Sequence, residues 1–454
     1  MTTSGSGLAS ALVCAGCGAS PARDDPHPFQ CPNAGANDTD HVLRRRLDIA
    51  AVAFPAAGDD ASANPYLRYR HLFHAYHLAR AGGIGDDDYC ALVARLDGAV
   101  AKVDGHGFVP TPFFRADALS EQLGFAPDGG IWVKDETGNV SGSHKARHLF
   151  GLLVHLEVLE RLGLTDPAHR PNLAIASCGN AALAAAVVAA AGGRVLDVFV
   201  PVEADSAVIA RLKALDARVT VCPRVAGVPG DPTYHRLRRA LAEGELPFTC
   251  QGNENGIAVE GGFTLGYEIA AALAGGPALE RLVVQVGGGA LASACIESID
   301  DSVALGVLPA MPRVHTVQTE GAWPLRRAFA RVAARLPAGA TPVDVQEALS
   351  YAATHRSEFM WPWEEEPHSV AHGILDDETY DWLAVVEGML RTGGSPVVVD
   401  EDLLVHANEL AVSATGIDVD PTGSSGLAGL IALRDGGEIG DHERGAVLFT
   451  GVRR

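Results

Sequence analysis

Short apolar segments of strand type alternate with longer helical segments along most of this chain, and this alternation restricts the fold more than any other feature. The predicted strands are Ile131–Val133, Leu173–Ala176, Val195–Val200, Arg218–Cys222, Arg281–Val286, Val314–Gln318, Val397–Val399 and Ala446–Thr450. Between them lie helices such as Ala146–Leu162, which we interpret as amphipathic, and the apolar Ala181–Ala191. The pattern is typical of an α/β fold with parallel sheets covered by helices on both faces. Ligands are then expected in the loops that follow strand ends.

Three segments fall outside this alternation. Residues 1–45 lack a regular pattern and hold three cysteines. From Pro65 to Val103, apolar residues recur at helical spacing. Tyr351–Asp377 has no clear period, and we interpret it as a long surface excursion.

Charge and hydropathy exclude several classes of partner. The formal net charge is −21, so the surface repels nucleic acid and anionic membranes. No segment reaches the roughly 18 apolar residues that a membrane-spanning helix needs, and the N-terminus lacks the basic leader of a signal peptide. Eight cysteines in 454 residues do not form a disulfide framework. We therefore expect a cytoplasmic protein with no nucleic acid or membrane partner.

Lysine is scarce, which narrows the search for a reactive amine to Lys102, Lys134, Lys145 and Lys213. Lys102 and Lys213 lie in polar helical surroundings, and Lys134 ends a strand beside two carboxylates that would keep it charged. Lys145 follows the small residues Ser141–Ser143 and His144 and begins a helix, where the partial positive charge disfavours a cation. Such an amine tends toward the neutral nucleophile. Taken alone, it also fits an ordinary surface lysine.

A glycine loop follows one of the buried strands. Arg281–Val286 runs directly into Gly287, Gly288, Gly289, Ala290 and Leu291, and then into a helix. This order of strand, glycine loop and helix start turns backbone N–H groups toward a phosphate. The spacing differs from that of dinucleotide-binding and P-loop motifs. The loop therefore predicts an anion site, with a glycine-rich turn that binds nothing as the alternative.

Two further turns carry hydroxyl and amide groups. Ser177-Cys178-Gly179-Asn180 lies between a buried strand and a helix, and Asp420-Pro421-Thr422-Gly423-Ser424 precedes another helix. A serine hydroxyl with neighbouring N–H groups can hold a carboxylate, and an asparagine amide can donate to a phenolate-like oxygen. Each turn by itself also fits an ordinary helix cap.

Together, and in this order along the chain, the motif Lys-Asp-Glu-x4-Ser-Gly-Ser-His-Lys and the three turns resemble the fold-type II pyridoxal phosphate enzymes, the tryptophan synthase β-like superfamily. Asn64–Arg70, Thr111-Pro112 and the Cys-x-x-Cys start look like threonine synthases within it. His144, in front of the lysine, is more like the tryptophan synthase β chain. The resemblance implies two open, mainly parallel twisted sheets flanked by helices, with an N-terminal extension.

The resemblance also implies a division into domains. We expect a cysteine-containing segment at 1–45 and a helical lead-in at 46–105. A large domain that binds pyridoxal 5'-phosphate would comprise 106–150 and 251–454, with a small α/β domain at 151–250. Members of this superfamily are often homodimers.

The same resemblance assigns roles to individual residues. Lys145 would form the Schiff base with the cofactor and later move the proton at Cα. Asn180 would contact the ring hydroxyl, and Thr422 would face the ring nitrogen. The other cofactor-binding residues are His144, Gly287, Gly288, Gly289, Ala290 and Leu291, and the substrate-binding residues are Ser143, Ser177, Cys178, Gly179 and Ala181. A neutral hydroxyl at the ring nitrogen favours elimination or replacement over transamination.

Cys14, Cys17 and Cys31 look like part of a zinc ribbon. The fourth cysteine that a complete ribbon would place near Ala34 is absent. His27, Asp38, Asp40 or His41 could substitute as a ligand. The pattern favours a metal-free remnant over a working zinc site.

Several reactions are compatible with these motifs. The first is that of a threonine synthase, which would need a second anion site for the phosphate of O-phosphohomoserine, supplied by arginines such as Arg147. The second is that of a serine or threonine ammonia-lyase, which releases a 2-keto acid and ammonia. A β-replacement synthase is a third. The non-enzymatic alternative, a zinc-ribbon interaction module on an inactive scaffold, is disfavoured by the intact Lys145, Asn180 and glycine loop.

Overall fold

The computed structural model describes residues 8–56, 64–224 and 230–454. The strands are β1 (Ser10–Cys14), β2 (Leu43–Leu47), β3 (Phe113–Arg115), β4 (Gly130–Asp135), β5 (Leu173–Ala176), β6 (Leu196–Val200), β7 (Arg218–Val221), β8 (Leu246–Pro247), β9 (Arg281–Gln285), β10 (Arg313–Thr319), β11 (Pro396–Val399) and β12 (Arg444–Phe449). The helices are α1 (Pro65–Arg68), α2 (His74–Ala81), α3 (Asp86–Asp104), α4 (Asp117–Gln122), α5 (Lys145–Arg161), α6 (Asn180–Ala191), α7 (Ser206–Ala214), α8 (Pro232–Ala242), α9 (Ile257–Gly261), α10 (Phe263–Leu273), α11 (Ala290–Ala304), α12 (Pro324–Ala333), α13 (Pro342–Thr354), α14 (Trp382–Thr392), α15 (Glu401–Thr415) and α16 (Pro421–Asp435). Parts of three predicted domains, residues 1–7, 57–63 and 225–229, lie outside the described residues.

The larger of the two main sheets has six strands in the order β11-β10-β9-β12-β4-β3. Its neighbours are parallel, except that β3 runs antiparallel to β4 at one edge. Because β12 pairs with β9 on one side and β4 on the other, three strands that are distant in sequence end side by side. The loops that leave these three ends are where the parallel topology predicts a ligand.

The second sheet has four parallel strands in the order β7-β6-β5-β8. All four lie within the predicted small domain, 151–250, and all six strands of the larger sheet lie within 106–150 and 251–454. Two mainly parallel sheets with helices between the strands confirm the predicted fold class. The domain boundaries themselves stay a prediction.

The N-terminal segment forms regular structure that its sequence pattern did not indicate. β1 and β2 form an antiparallel ladder in which Ser10 pairs with Leu47 and Cys14 with Leu43. An irregular loop separates the two strands, so no local sequence period predicts their pairing. The helical spacing after Pro65 is confirmed by α1, α2 and α3.

The two helices that follow β4 and β5 form the centre of the core. α6 is buried from Ala182 to Ala189, as its apolar sequence predicted. α5, predicted as amphipathic, is instead buried along almost its whole length, including the polar Arg147, His148 and His155. The amphipathic prediction was wrong because partners from other elements surround the polar face of α5. Among the described residues, no helix is long and apolar enough to cross a membrane.

Candidate active site

Lys145 is the first residue of α5, at the end of the loop that leaves β4. Ser141 and Gly142 in this loop have φ of 57° and 66°, the left-handed region that favours glycine. The backbone N–H of His144 donates to the Thr450 carbonyl at 3.1 Å, and that of Val452 donates to the Gly142 carbonyl at 2.9 Å. The loop before Lys145 is therefore pinned to the chain segment that leaves β12.

The four lysines differ in their surroundings much as the sequence predicted. Lys102 and Lys213 are exposed. Lys134 is fully buried, and its Nζ donates to the Glu268 carboxylate at 2.5 Å and to the Thr111 carbonyl at 2.8 Å. Lys145 is half-buried and its amine has no hydrogen-bond or ion-pair partner within the described ranges. It is the amine best placed for covalent chemistry.

The predicted glycine loop leaves β9 and leads into α11. A Cβ on Gly287 would lie 2.2 Å from an Asp376 carboxylate oxygen, and one on Gly288 would lie 2.9 Å from the ring of Tyr380. Larger residues would therefore clash at both positions. The Gly288 N–H donates to the Asp376 carboxyl. The Gly288 N–H is therefore engaged by a carboxyl of the protein itself, and the binding of an external anion by this loop stays a prediction.

Asp376 lies against the glycine loop and was not named in the sequence analysis. Burial raises its pKa to about 6, although attraction to the Lys145 amine opposes the shift. It belongs to Tyr351–Asp377, which we interpreted as a surface excursion. That interpretation was wrong for part of the segment, since Phe359, Met360 and Ile374 are buried, whereas residues 361–370 include no buried residue. The segment lacks a period because it packs irregularly, and the pair Asp376-Asp377 was its one sequence signal.

The turn at Ser177–Asn180 leaves β5 of the smaller sheet and lies half-buried with Ala181. The Gly179 N–H donates to the Ser177 hydroxyl at 3.4 Å. Asn180 begins α6, and its side chain accepts from Arg454 Nε at 3.1 Å and bonds the Asp420 carboxyl. Burial raises the pKa of Cys178, and the charges of Asp231, Glu203 and Asp376 raise it further. Arg454 thus lies against the turn at Asn180, while the charges that act on Cys178 are carboxylates.

Two threonine hydroxyls stand near these groups. Thr422, in the first turn of α16, accepts the backbone N–H of Gly373 at 3.0 Å. Thr450, directly after β12, is buried and its hydroxyl accepts from Gln285 Nε2 at 2.9 Å. Since its backbone carbonyl also holds His144, Thr450 is tied directly to the Lys145 loop. The sequence analysis missed Thr450 because it stands at a strand end without a distinctive motif.

With this geometry in view, comparisons with known proteins identify the family. Residues 106–451 match the family described as pyridoxal-phosphate dependent enzyme. This chain belongs to that family. The pyridoxal-phosphate enzyme is 26% identical over 348 residues to the threonine synthase of Methanosarcina acetivorans, covering 75% of this chain and 74% of that protein.

Solved structures agree on the fold. The processed form of threonine deaminase isoform 2 from Solanum lycopersicum superimposes with a TM-score of 0.56 at 16% identity, covering 82% of this chain and 91% of the other. Maize serine racemase superimposes with a TM-score of 0.55 at 18% identity, covering 80% and 93%. The predicted resemblance to fold-type II enzymes is confirmed, and the family implies pyridoxal phosphate as cofactor.

The residues around Lys145 suit such a cofactor. The hydroxyl of Ser143 and Nε2 of His144 are buried without a hydrogen-bond partner in the described part of the chain. Burial and the nearby Lys145 lower the pKa of His144 well below its usual range, so its ring is neutral. Buried polar atoms without partners are costly. The Ser143 hydroxyl could donate to a bound phosphate or carboxylate. His144 Nδ1 lies 3.2 Å from the Thr450 carbonyl, which only accepts, so Nε2 of the neutral ring presents a lone pair that a donor group of a ligand would satisfy.

Arg147, suggested as a second anion site, is committed elsewhere. Its guanidinium donates to Glu136 at 2.7 and 2.9 Å and to Glu268 at 2.7 and 3.1 Å. It also donates to the hydroxyls of Thr111 and Thr264. Burial opposes the charge, but the two carboxylates outweigh it and raise the pKa of Arg147. The suggestion was wrong because buried acidic partners, one of them 121 residues away, already saturate the donors.

Proposed function

We propose that this enzyme removes the β-substituent of a small amino acid such as serine or threonine and releases a 2-keto acid and ammonia. The observation that carries this proposal is the charge around the site. Arg147 is saturated by Glu136 and Glu268, and the groups that act electrostatically on Cys178 and Asp376 include Asp231, Asp377 and Glu203. Carboxylates repel a second phosphate. A substrate whose leaving group carries no phosphate suits these surroundings better.

In this proposal each group has a defined task. Pyridoxal phosphate, when bound, supplies the electron sink that stabilises negative charge at Cα. Lys145 holds the cofactor and moves the Cα proton. The turn from Ser177 to Ala181, with Ser143, holds the substrate carboxylate. Gly287 to Leu291 would hold the cofactor phosphate, and His144 would contact the cofactor beside Lys145.

Three further side chains would tune the ring and the leaving group. Asn180 would contact the ring hydroxyl. The hydroxyl of Thr422 or Thr450 would donate to the ring nitrogen, because each already accepts one hydrogen bond and keeps its own proton for donation. Asp376 supplies a proton to the departing hydroxyl, because its raised pKa keeps a protonated fraction near neutral pH.

A threonine synthase reaction is the second candidate, supported by the relative from Methanosarcina acetivorans. It would act on O-phosphohomoserine by γ-elimination and add water at Cβ. It requires a phosphate-binding group other than Arg147.

A substrate panel separates the two reactions. The purified holoenzyme is incubated with serine, threonine and O-phosphohomoserine in separate reactions, and keto acid and inorganic phosphate are both measured. We expect keto acid from serine or threonine and no phosphate from O-phosphohomoserine. Phosphate release with threonine as product, and no keto acid, would replace the first proposal with the second. Lys145→Ala protein is the control for reactions of free cofactor.

On the resemblance alone, we also infer that the enzyme is a cytoplasmic homodimer. Light scattering of the eluting peak in size-exclusion chromatography measures the mass of the assembly. A mass near the 47.3 kDa of one chain would contradict the dimer.

A further inference from the structure

Four metal-binding side chains converge at one end of the β1–β2 hairpin. The ligand atoms of Cys14, Cys17, Cys31 and His41 all lie within 4.8 Å of one another. Cys14 Sγ is 3.5 Å from His41 Nδ1, and Cys17 Sγ is 3.5 Å from Cys31 Sγ. With Zn–S of about 2.3 Å and Zn–N of about 2.0 Å, neighbouring ligands in a tetrahedron are roughly 3.5–3.8 Å apart. These two pairs have that spacing, and the other pairs lie within 4.8 Å, so the four groups converge on one position for an ion.

The sulfur atoms are surrounded by N–H donors. The Asn33 backbone N–H points at Cys31 Sγ at 3.4 Å, and the Asn33 side-chain amide points at Cys17 Sγ at 3.7 Å. Donors of this kind stabilise negative charge on sulfur, and the thiolate is the form that binds a metal ion. Residues that are not themselves ligands therefore contact the cysteine sulfurs, as is usual around a metal site.

The imidazole is oriented in the same way. His41 Nε2 bonds the Asn37 side-chain oxygen at 3.0 Å. Because that oxygen only accepts, Nε2 carries the proton and Nδ1 presents its lone pair toward Cys14. A ligating histidine usually has its other nitrogen fixed by such a second contact.

Two of the other three candidates for the fourth ligand are engaged elsewhere, and the third, His27, is not among the side chains that converge here. The two carboxylate oxygens of Asp38 accept from the backbone N–H and hydroxyl of Ser357, each at 2.8 Å. Asp40 accepts from Trp382 at 3.1 Å and from Arg356 at 3.2 Å. His41 is thus the residue that completes the set, from the loop just before β2.

We propose that Cys14, Cys17, Cys31 and His41 bind one structural Zn²⁺ ion. Four protein ligands close the coordination sphere and leave no position for a substrate, so the ion stabilises the fold. This replaces the metal-free remnant that the missing cysteine near Ala34 favoured.

The position of the site gives the ion a further effect. Directly beside His41, the Asp40 N–H donates to the Ala353 carbonyl at 2.7 Å, and the Arg356 N–H donates to the Asp38 carbonyl at 2.8 Å. The chain that begins at Ala353 continues to Asp376, which contacts the glycine loop. Zinc therefore fixes the surface on which this chain packs, and its loss should loosen cofactor binding.

Metal content tests the proposal directly. The full chain, purified from zinc-supplemented medium, is analysed by mass spectrometry for metal. We expect about one zinc per chain in the wild type and little in Cys17→Ser or His41→Ala. His106→Ala and Cys90→Ser, which alter residues outside the site, should keep the wild-type content. Chelation at elevated temperature should lower the melting temperature of the wild type but not of His41→Ala.

Two further measurements distinguish loss of the metal ligand from misfolding of the variant. His41→Cys offers four sulfur ligands and should retain zinc where His41→Ala loses it. Cobalt in place of zinc should give the visible d–d bands of a tetrahedral sulfur-rich site. A wild-type protein without zinc, equal zinc in all variants, or a Cys17–Cys31 disulfide in the purified protein would each overturn the proposal.

Discussion

Arg147 and Lys145 are two cations on the same turn of α5, and their surroundings are opposite. Arg147 is fully buried, and its guanidinium is bonded to Glu136, Glu268 and two hydroxyls. Lys145 is half-buried, has no such partner in the described ranges, and stands beside the unsatisfied Ser143 and His144. The protein itself supplies every partner of Arg147, which is the first site. Around Lys145, the second site, polar groups remain available to a ligand. The first should therefore control stability and the second activity.

Lys145→Ala should have the largest effect, and on function alone. Without the amine there is no covalent link to the cofactor, so the visible absorption band should vanish and turnover should fall by about 10⁴-fold or more. Because the amine contributes no bond to the fold, the urea midpoint should change little. Lys213→Ala, at an exposed position, should keep band and turnover. Retention of the band by Lys145→Ala would show that another amine holds the cofactor.

Arg147→Met should have the opposite effect, a large loss of stability. It leaves Glu136 without its ion pair and weakens the network around Glu268, which costs about 3–5 kcal/mol when one partner of a buried pair is removed. Urea unfolding followed by circular dichroism measures the change. Arg161→Met, at an exposed position on the same helix, should shift stability by less than about 0.5 kcal/mol. A loss below about 1 kcal/mol in Arg147→Met would mean that the network does not stabilise the fold.

Asp376→Asn should test whether the residues near Lys145 act in the reaction and not in stability. Burial raises the pKa of Asp376 to about 6, so the carboxyl holds a proton below that pH and loses it above. As a proton donor to the leaving group it should make kcat fall as pH rises through this value. The variant should be about 10²-fold slower and should lack this inflection. Asp435→Asn is the exposed control, and an unchanged pH profile in Asp376→Asn would remove Asp376 from the proposed mechanism.

The smallest effect should come from the hydroxyl at the ring nitrogen. Replacing that threonine by valine removes one hydrogen bond, worth about 1 kcal/mol, and should slow turnover by roughly fivefold. We expect this from Thr450→Val, with a shifted cofactor band, since Thr450 is tied to the Lys145 loop. Thr422→Val is the matched variant. A larger effect of Thr422→Val than of Thr450→Val would support Thr422 as the residue at the ring nitrogen, as the sequence motif indicated.

The sequence predicted best what is encoded locally. The strands around Leu173–Ala176 and Arg281–Gln285 were found within a residue, because each is a short apolar run followed by a turn motif. The positions of Lys145 at the start of α5 and of the glycine loop between β9 and α11 were predicted correctly for the same reason. The roles of Arg147 and Asp376 depend on contacts with residues far away in sequence, and no local pattern contains them. The β1–β2 hairpin was missed likewise, since its strands meet only in the folded chain.

The place of β12 in the larger sheet has a consequence for how the protein is made. β12 lies between β9 and β4, although it follows both by more than 150 residues. A ribosome therefore releases all strands of the four-stranded sheet long before the larger sheet can close around its last member. The loop carrying Lys145 is pinned by Thr450 and Val452, so it gains its neighbours only at that moment. Nascent chains should acquire the capacity to hold the cofactor late and in a single step, while the smaller sheet can already be folded.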